Sequence, residues 1–193
     1  MRARLRAERL SYERGTGVGA MWCVIRTACG AERRTLERIV RGTASRALAE
    51  CFVPQFQTQI KVHGSWCFCA RDMMPGYLFA ISEAPRELQR CLLALDCAAS
   101  LVISGRTVAA LPSELVAFYE RWTRPGDRVI PMSFSELGPS GVVVMSGPLL
   151  GCEGLISKVD RRKSTALVEF GSDAGQAALR VGLGLRAARC VAE

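Results

Sequence analysis

Four cations near the end of the chain are the residues best placed to do chemistry. Lys158 precedes the run Arg161, Arg162 and Lys163, and all four lie around one short turn between two apolar segments. Guanidinium groups can form paired hydrogen bonds with phosphates or base edges, and an ammonium group meets phosphate as a point charge. The spacing favours phosphate contact, and a solvated turn between two strands is the alternative.

Residues for catalysis or metal binding are scarce. The single histidine, His63, lies in a polar stretch that predicts an exposed hairpin tip, and neither Glu153 nor Asp160 has a nucleophile or base beside it. Cys67 and Cys69 would share one face of a strand, but no second pair completes a zinc site. We therefore expect that the protein is not an enzyme and that it binds neither a metal nor a cofactor. The nine cysteines are typical of buried thiols in a reducing cytosol.

Composition bounds the class of protein and of partner. The chain has 193 residues and a net charge of +8, and 49% of its residues are hydrophobic. No apolar run reaches the roughly 18–20 residues of a membrane helix, and we expect no secretory signal. We expect a cytoplasmic protein of one or two domains with an acidic partner such as RNA, DNA or an acidic protein face. Residues 1–20 are expected to be a flexible basic tail or the product of an upstream start codon.

Apolar periodicity and turn residues predict a mixed first part of the chain. The predicted strands are 22–27, 51–54, 56–62, 65–71, 78–81 and 101–104, of which 56–62 and 65–71 pair as a hairpin. The predicted helices are 32–48, 85–95 and 112–124. Prolines, glycine and serines then predict a linker over 125–138. This order indicates an α+β fold, with a sandwich and a mainly antiparallel sheet over 21–124.

The remaining segment, 139–193, is predicted to be all-β. Strands are expected at 142–145, 155–159 and 165–170, and Gly147-Pro148 gives a tight turn after the first of them. The pattern predicts a small, strongly bent barrel that presents backbone and basic loops instead of a pocket. Modules of this kind bind nucleic acid or protein.

From residue 21 onward the chain resembles the NusG family of transcription elongation factors. The resemblance rests on five motifs in the family's order, which are Trp22-Cys23-Val24, Gly30-Ala31-Glu32, Val53-Pro54, Pro75-Gly76-Tyr77, and Gly147-Pro148-Leu149 with Gly154. It implies an N-terminal NGN-like domain over 21–124 that binds RNA polymerase. It also implies that 139–193 is an SH3-like β-barrel of the KOW type.

The resemblance further implies which residues dock on the clamp helices of RNA polymerase. Carried over by motif, they are Trp22, Met74, Pro75, Gly76 and Tyr77. Aromatic and methionine side chains are enriched at interface cores. A tryptophan that begins a central strand can instead belong to the core, and this alternative stays open for Trp22. Docking across the cleft would disfavour opening of the clamp and so suppress pausing and termination.

Other segments differ from the general factor and resemble the LoaP group of antiterminators. Met73-Met74 replaces an aromatic residue, the turn after Lys158 is more basic, and 130–133 and 147–154 have the form found in that group. This resemblance implies that a leader RNA hairpin is bound by Lys158, Arg161, Arg162 and Lys163. We also expect a monomer that contacts non-template DNA.

Two further functions stay open. A general elongation factor would dock a ribosomal protein or the termination factor Rho on the barrel, which requires an exposed apolar edge. Alternatively, the chain could be a ribosomal or RNA-binding protein that has only the barrel in common with the family. The domain that contains Pro75-Gly76-Tyr77 argues against this alternative.

Overall fold

The structure is a computed structural model, and it describes residues 19–43, 47–95, 97–138, 141–171 and 177–185. Its strands are β1 Met21–Arg26, β2 Glu50–Phe52, β3 Gln55–Val62, β4 Ser65–Asp72, β5 Tyr77–Ser82, β6 Ser100–Leu101, β7 Ile103–Ser104, β8 Thr107–Val108, β9 Val129–Ile130, β10 Ser133–Gly138, β11 Gly141–Ser146, β12 Ile156–Asp160, β13 Thr165–Phe170 and β14 Ala177–Leu185. Its helices are α1 Glu32–Gly42, α2 Pro85–Ala94 and α3 Ser113–Trp122, with a 3-10 turn at Glu153–Leu155. The predicted α+β class is confirmed.

The described residues form two compact units. The first unit lies within 19–52 and 78–110, and the second within 53–77 and 111–185. The β3–β4 hairpin, which the sequence placed in the domain 21–124, therefore belongs to the same unit as the last five strands. The expected tail over 1–20 lies almost entirely outside the described residues.

The first unit is built on a four-stranded sheet in the order β2-β5-β1-β6. β2 pairs antiparallel with β5, and β1 pairs antiparallel with β6. β1 is a central strand, as predicted, and its Cys23 and Ile25 side chains are fully buried. β5 is buried along nearly its whole length. Its continuous run of apolar residues is typical of a strand that is covered on both faces.

Helix α1 is shorter than the predicted helix over 32–48. It ends at Gly42, and Thr43 has an extended backbone whose amide donates to the carbonyl oxygen of Ile39. Glycine has low helix propensity, and a β-branched threonine after it favours the extended conformation. Ala47 and Leu48 continue the apolar pattern of the sequence, but they lie outside the helix.

The second unit contains a five-stranded sheet in the order β11-β10-β14-β13-β12 and a three-stranded sheet in the order β4-β3-β9. One face of the larger sheet forms a core, which includes Val144, Ala166, Val168, Leu179, Val181 and Leu183. Phe118 of α3 packs against Phe170 at the end of β13, with ring centroids 5.1 Å apart. Alternate residues of β13 and β14 point to this core, as the period-two pattern requires.

The predicted linker over 125–138 contains two strands, β9 and β10. Two of its serines are buried and hydrogen-bonded: the Ser135 hydroxyl donates to the carbonyl oxygen of Gly184, and the Ser133 hydroxyl oxygen accepts from the amide of Leu149. A serine with a satisfied hydroxyl can occupy a core position. Ser133 and Ser135, which favoured the prediction of a linker, are therefore part of the sheet.

Candidate nucleic-acid interface

The turn between β12 and β13 presents its cations to solvent. Arg161, Arg162 and Lys163 are exposed, and so is Lys158 on β12. The Asp160 carboxylate accepts a hydrogen bond from the backbone amide of Lys163 at 3.1 Å and lies 3.9 Å from its ammonium group. Asp160 therefore shapes the turn and offsets part of one charge. We call residues 160–164 the basic turn.

Strand β3 holds the backbone of the basic turn from the side. The Thr58 hydroxyl donates to the carbonyl oxygens of Lys163 and Ser164 at 3.3 and 3.2 Å, and the Gln59 amide donates to the Ser164 hydroxyl at 3.4 Å. Ser164 has φ +50°, a left-handed conformation that non-glycine residues seldom adopt. Thr58 is only 1% exposed, so its hydrogen bond to the carbonyl oxygen of Ser164 is shielded from water. The turn's backbone is fixed while its side chains stay in solvent.

Arg180 adds a cation that the sequence analysis did not single out. In the sheet register Lys158 is opposite Leu167, and Leu167 is opposite Arg180. Residues opposite each other on neighbouring strands point to the same face, so the two exposed cations lie in one row on the face away from the core. The alternation of Leu179, Val181 and Leu183 in the sequence could have placed Arg180 on that face.

Strand β3 also meets this outer face of the larger sheet at Gly182. A Cβ on Gly182 would collide with the carbonyl oxygen of Gln57, and the Gln57 side-chain oxygen accepts a hydrogen bond from the amide of Met132 at 3.3 Å. The glycine thus permits a backbone approach that no side chain would allow. This contact and the Thr58 hydrogen bonds together hold β3 beside the basic turn.

Four of the five residues expected to dock on a polymerase, Met74 to Tyr77, form a tight turn at the start of β5. The amide of Tyr77 donates to the carbonyl oxygen of Met74 at 3.1 Å, and Gly76 has φ +85°. Proline followed by glycine with positive φ is typical of a type II turn. Pro75 is exposed, Met74 and Tyr77 are half-buried and Gly76 is buried.

Met73, which the sequence grouped with Met74, is a core residue. It is buried, and its sulfur accepts a hydrogen bond from the hydroxyl of Tyr119 at 3.4 Å. Burial raises the pKa of that phenol above its usual value, and the charge of Arg128 opposes the shift. Of the two methionines, only Met74 is accessible to a partner.

Trp22 lies in the first unit and is 5% exposed. Its ring packs edge to face on Phe52, and Phe52 packs in the same way on Phe79, with centroids 5.8 Å apart in both pairs. Such pairs stabilise a core beyond the area that they bury. Trp22 takes the core position, one of the two alternatives that the sequence left open, and of the residues expected to dock, Met74, Pro75 and Tyr77 are accessible.

The described residues contain no group of three or more His, Cys, Asp or Glu side chains that could hold a metal ion. Cys67 and Cys69 lie on β4 opposite Ile60 and Thr58, on one face of the hairpin as predicted. His63 is exposed at the hairpin tip, also as predicted. No described helix is long and apolar enough to cross a membrane.

Comparison with known proteins gives a family for the first part of the chain. The family model described as "Transcription termination factor nusG" matches residues 20–119, which is more than half of the chain. No curated protein matches the sequence. A solved structure titled "Domain interaction in Thermotoga maritima NusG" is similar with a TM-score of 0.42 and 14% sequence identity, over 84% of this chain and 93% of that chain.

Proposed function

Because the chain belongs to the NusG family, whose factors bind RNA polymerase, we propose that it is a transcription elongation and antitermination factor recruited by a leader RNA. Members of this family are transcription factors and not enzymes. The segment 21–124 would bind the polymerase, and 139–193 would bind the RNA, with 125–138 joining them. The protein would act in the cytoplasm as a monomer, without a cofactor, and would also contact non-template DNA.

The basic turn is the observation that carries the RNA part of this proposal. Three cations project from a backbone that Thr58 and Asp160 hold in place. A fixed backbone lowers the entropy that is lost when a ligand binds. With Lys158 and Arg180 beside it, the turn suits contact with several successive phosphates. This arrangement is what a LoaP-like antiterminator would need in order to bind a leader hairpin.

Polymerase binding is assigned to the turn before β5. Pro75 and the half-buried Met74 and Tyr77 offer apolar surface on a turn that the positive φ of Gly76 permits and the hydrogen bond from the Tyr77 amide to Met74 closes. Docked on the clamp helices, this surface would favour the closed clamp over the open one. The factor would then suppress pausing and termination without an active site, by binding one state of the polymerase more tightly than the other.

A general elongation factor is the second candidate, and one observation favours it. Val143 and Met145 lie on β11, the edge strand of the larger sheet, and both are largely exposed. This is the exposed apolar edge that docking of a ribosomal protein or Rho would require. In that case polymerase binding would be retained and a leader RNA would have no effect.

Co-purification with core RNA polymerase tests the shared part of both candidates. Met74→Asp places a carboxylate in the docking surface and should abolish association of the full chain with the polymerase, with an unchanged circular dichroism spectrum. Leu150→Asp adds the same charge at another exposed apolar residue and should leave association intact. Normal association of the Met74→Asp protein would refute the docking assignment.

A further inference from the structure

Two large aromatic side chains lie exposed on one face of β4. Trp66 and Phe68 are 58% and 59% exposed, and because they are two residues apart on a strand they point to the same side. The Phe68 ring also meets Phe134 of β10 edge to face, at a centroid distance of 6.4 Å. Scattered exposed apolar residues are ordinary, but adjacent aromatic rings on one strand face mark a binding surface.

The partners of these aromatics on β3 connect them to the basic turn. Lys61 is directly opposite Trp66, and Gln59 is directly opposite Phe68. Gln59 is also the residue whose amide donates to the hydroxyl of Ser164 in the basic turn. Gln59 therefore links the strand position opposite Phe68 to Ser164 of the basic turn, and we consider the two rings, Lys61 and the basic turn as one surface.

The charges of this surface are mainly positive. The cations are Lys61, Arg161, Arg162 and Lys163. The hairpin's one acidic residue, Asp72, accepts a hydrogen bond from the Gln55 amide at 2.7 Å, and Asp160 is engaged within the basic turn. Exposed aromatic rings beside exposed cations on a sheet are what proteins use to bind single-stranded nucleic acid, since bases stack on the rings while phosphates meet the cations.

We propose that Trp66 and Phe68 form a stacking platform for two unpaired bases of a nucleic acid whose phosphates contact Lys61 and the basic turn. This inference rests on the proposed function and extends it, because it adds the hairpin to the RNA site and specifies single-stranded ligand. A duplex would not bind in this way, since its bases are already stacked on one another. Stacking alone does not distinguish RNA from DNA, so both are tested.

Fluorescence anisotropy of a labelled uridine dodecamer with the full chain tests the platform. Trp66→Ala and Phe68→Ala should each weaken binding about 5- to 150-fold, the range that loss of one base stack produces. The dependence of affinity on salt should stay unchanged, because neither residue carries charge. Ile103→Ala removes an equally exposed apolar side chain from the first unit and should have no effect.

Tryptophan emission gives a second readout. Trp66 is far more exposed than the buried Trp22, so binding should quench a part of the emission that Trp66→Ala removes. A thymidine dodecamer should bind by stacking as well, and a duplex of the same length should bind more weakly. Tighter binding of the uridine strand than of the thymidine strand would identify RNA as the ligand.

The outcomes separate this inference from the function on which it rests. If the two aromatic variants bind like the parent while loss of the basic-turn cations abolishes binding, the platform is refuted and the RNA function stands. If the parent binds the leader RNA but neither single-stranded dodecamer, the platform alone is refuted, and if it binds none of these, both are refuted. If Trp66→Ala instead abolishes self-association or binding of polymerase and leaves nucleic-acid affinity unchanged, the surface is a protein contact and the platform is refuted.

Discussion

The hydroxyl of Thr58 donates a hydrogen bond to the carbonyl oxygen of Ser164 at 3.2 Å, across 106 residues of sequence. The same carbonyl oxygen accepts the amide of Leu183 at 2.9 Å. Ser164 is thus held both by its own sheet and by β3. This link gives the basic turn a fixed backbone, and the proposed RNA site depends on it.

Thr58→Val should lower both stability and RNA affinity. Valine keeps the shape of threonine but cannot donate, so a buried hydrogen bond worth about 0.5–1.5 kcal/mol is lost. Urea unfolding measures the first effect and RNA titration the second. Thr107→Val removes a hydroxyl that donates to Ser104 at an exposed site and should change the free energy of unfolding by less. Equal effects of the two substitutions would contradict a special role for Thr58.

Gly182→Ala should be more disruptive than the size of a methyl group suggests. The new Cβ would collide with the carbonyl oxygen of Gln57, and a backbone atom cannot move aside as a side chain can. We expect a loss of about 1–3 kcal/mol in the free energy of unfolding, the usual cost of overpacking. Gly154→Ala is the matched control, because its Cβ would meet nothing within 4 Å. A Gly182→Ala protein as stable as this control would show that β3 is not held against β14.

Replacement of Arg161, Arg162 and Lys163 by alanine should weaken RNA binding by at least about tenfold, since hydrogen bonds to charged groups are the stronger kind. Each lost phosphate contact should also lower the slope of log affinity against log salt by about 0.7. Polymerase association should be unchanged. Titration of a leader RNA at several salt concentrations measures both quantities.

A second triple variant controls for net charge. Arg33→Ala, Arg34→Ala and Arg41→Ala remove the same number of charges from exposed positions of α1 in the first unit. Long-range attraction alone would make the two triple variants equivalent. We expect the slope of log affinity against log salt to fall only in the basic-turn variant, and an equal fall in both variants would refute a local site.

Two thiols, of the buried Cys23 and the half-buried Cys51, predict a loss of stability at alkaline pH. Burial raises the pKa of Cys23 to about 11. Burial, with Cys23 and Glu50 nearby, raises the pKa of Cys51 to about 12, against 9.0 for a free thiol. Above pH 9 the unfolded chain releases protons that the native state retains, so the stability that these thiols contribute is fully present below pH 9 and falls as pH rises to about 12. Urea unfolding across this range measures the fall, and Cys23→Ala with Cys51→Ala should reduce its slope. If stability falls equally steeply with pH in the double variant, these thiols are not the cause of the fall.

Part of this structure could be predicted from residues that are neighbours in the sequence. His63 and Gly64 both have positive φ, as a two-residue hairpin turn requires, and a polar stretch ending in glycine marked that turn in the sequence. The cations of the basic turn were equally visible, because a charged run between two apolar strands has few other places to lie. These features depend only on neighbouring residues.

Long-range contacts were not predictable from the sequence. Nothing near Thr58 indicates that its hydroxyl meets Ser164, and Ser133 reads as a loop residue until its buried partner is seen. Gly182 looks like a strand breaker but is the site where β3 approaches. Trp66 and Phe68 follow the pattern of a half-buried strand, whereas both are exposed. In each case the tertiary structure overrides the local pattern.

In vitro transcription through an intrinsic terminator, on templates with and without the leader RNA, is the decisive test of recruitment by RNA. The protein should increase readthrough only when the leader is present, and the basic-turn triple variant should lose this effect while it still binds polymerase. Readthrough or pausing that changes equally on every template would contradict recruitment by RNA and would identify a general elongation factor.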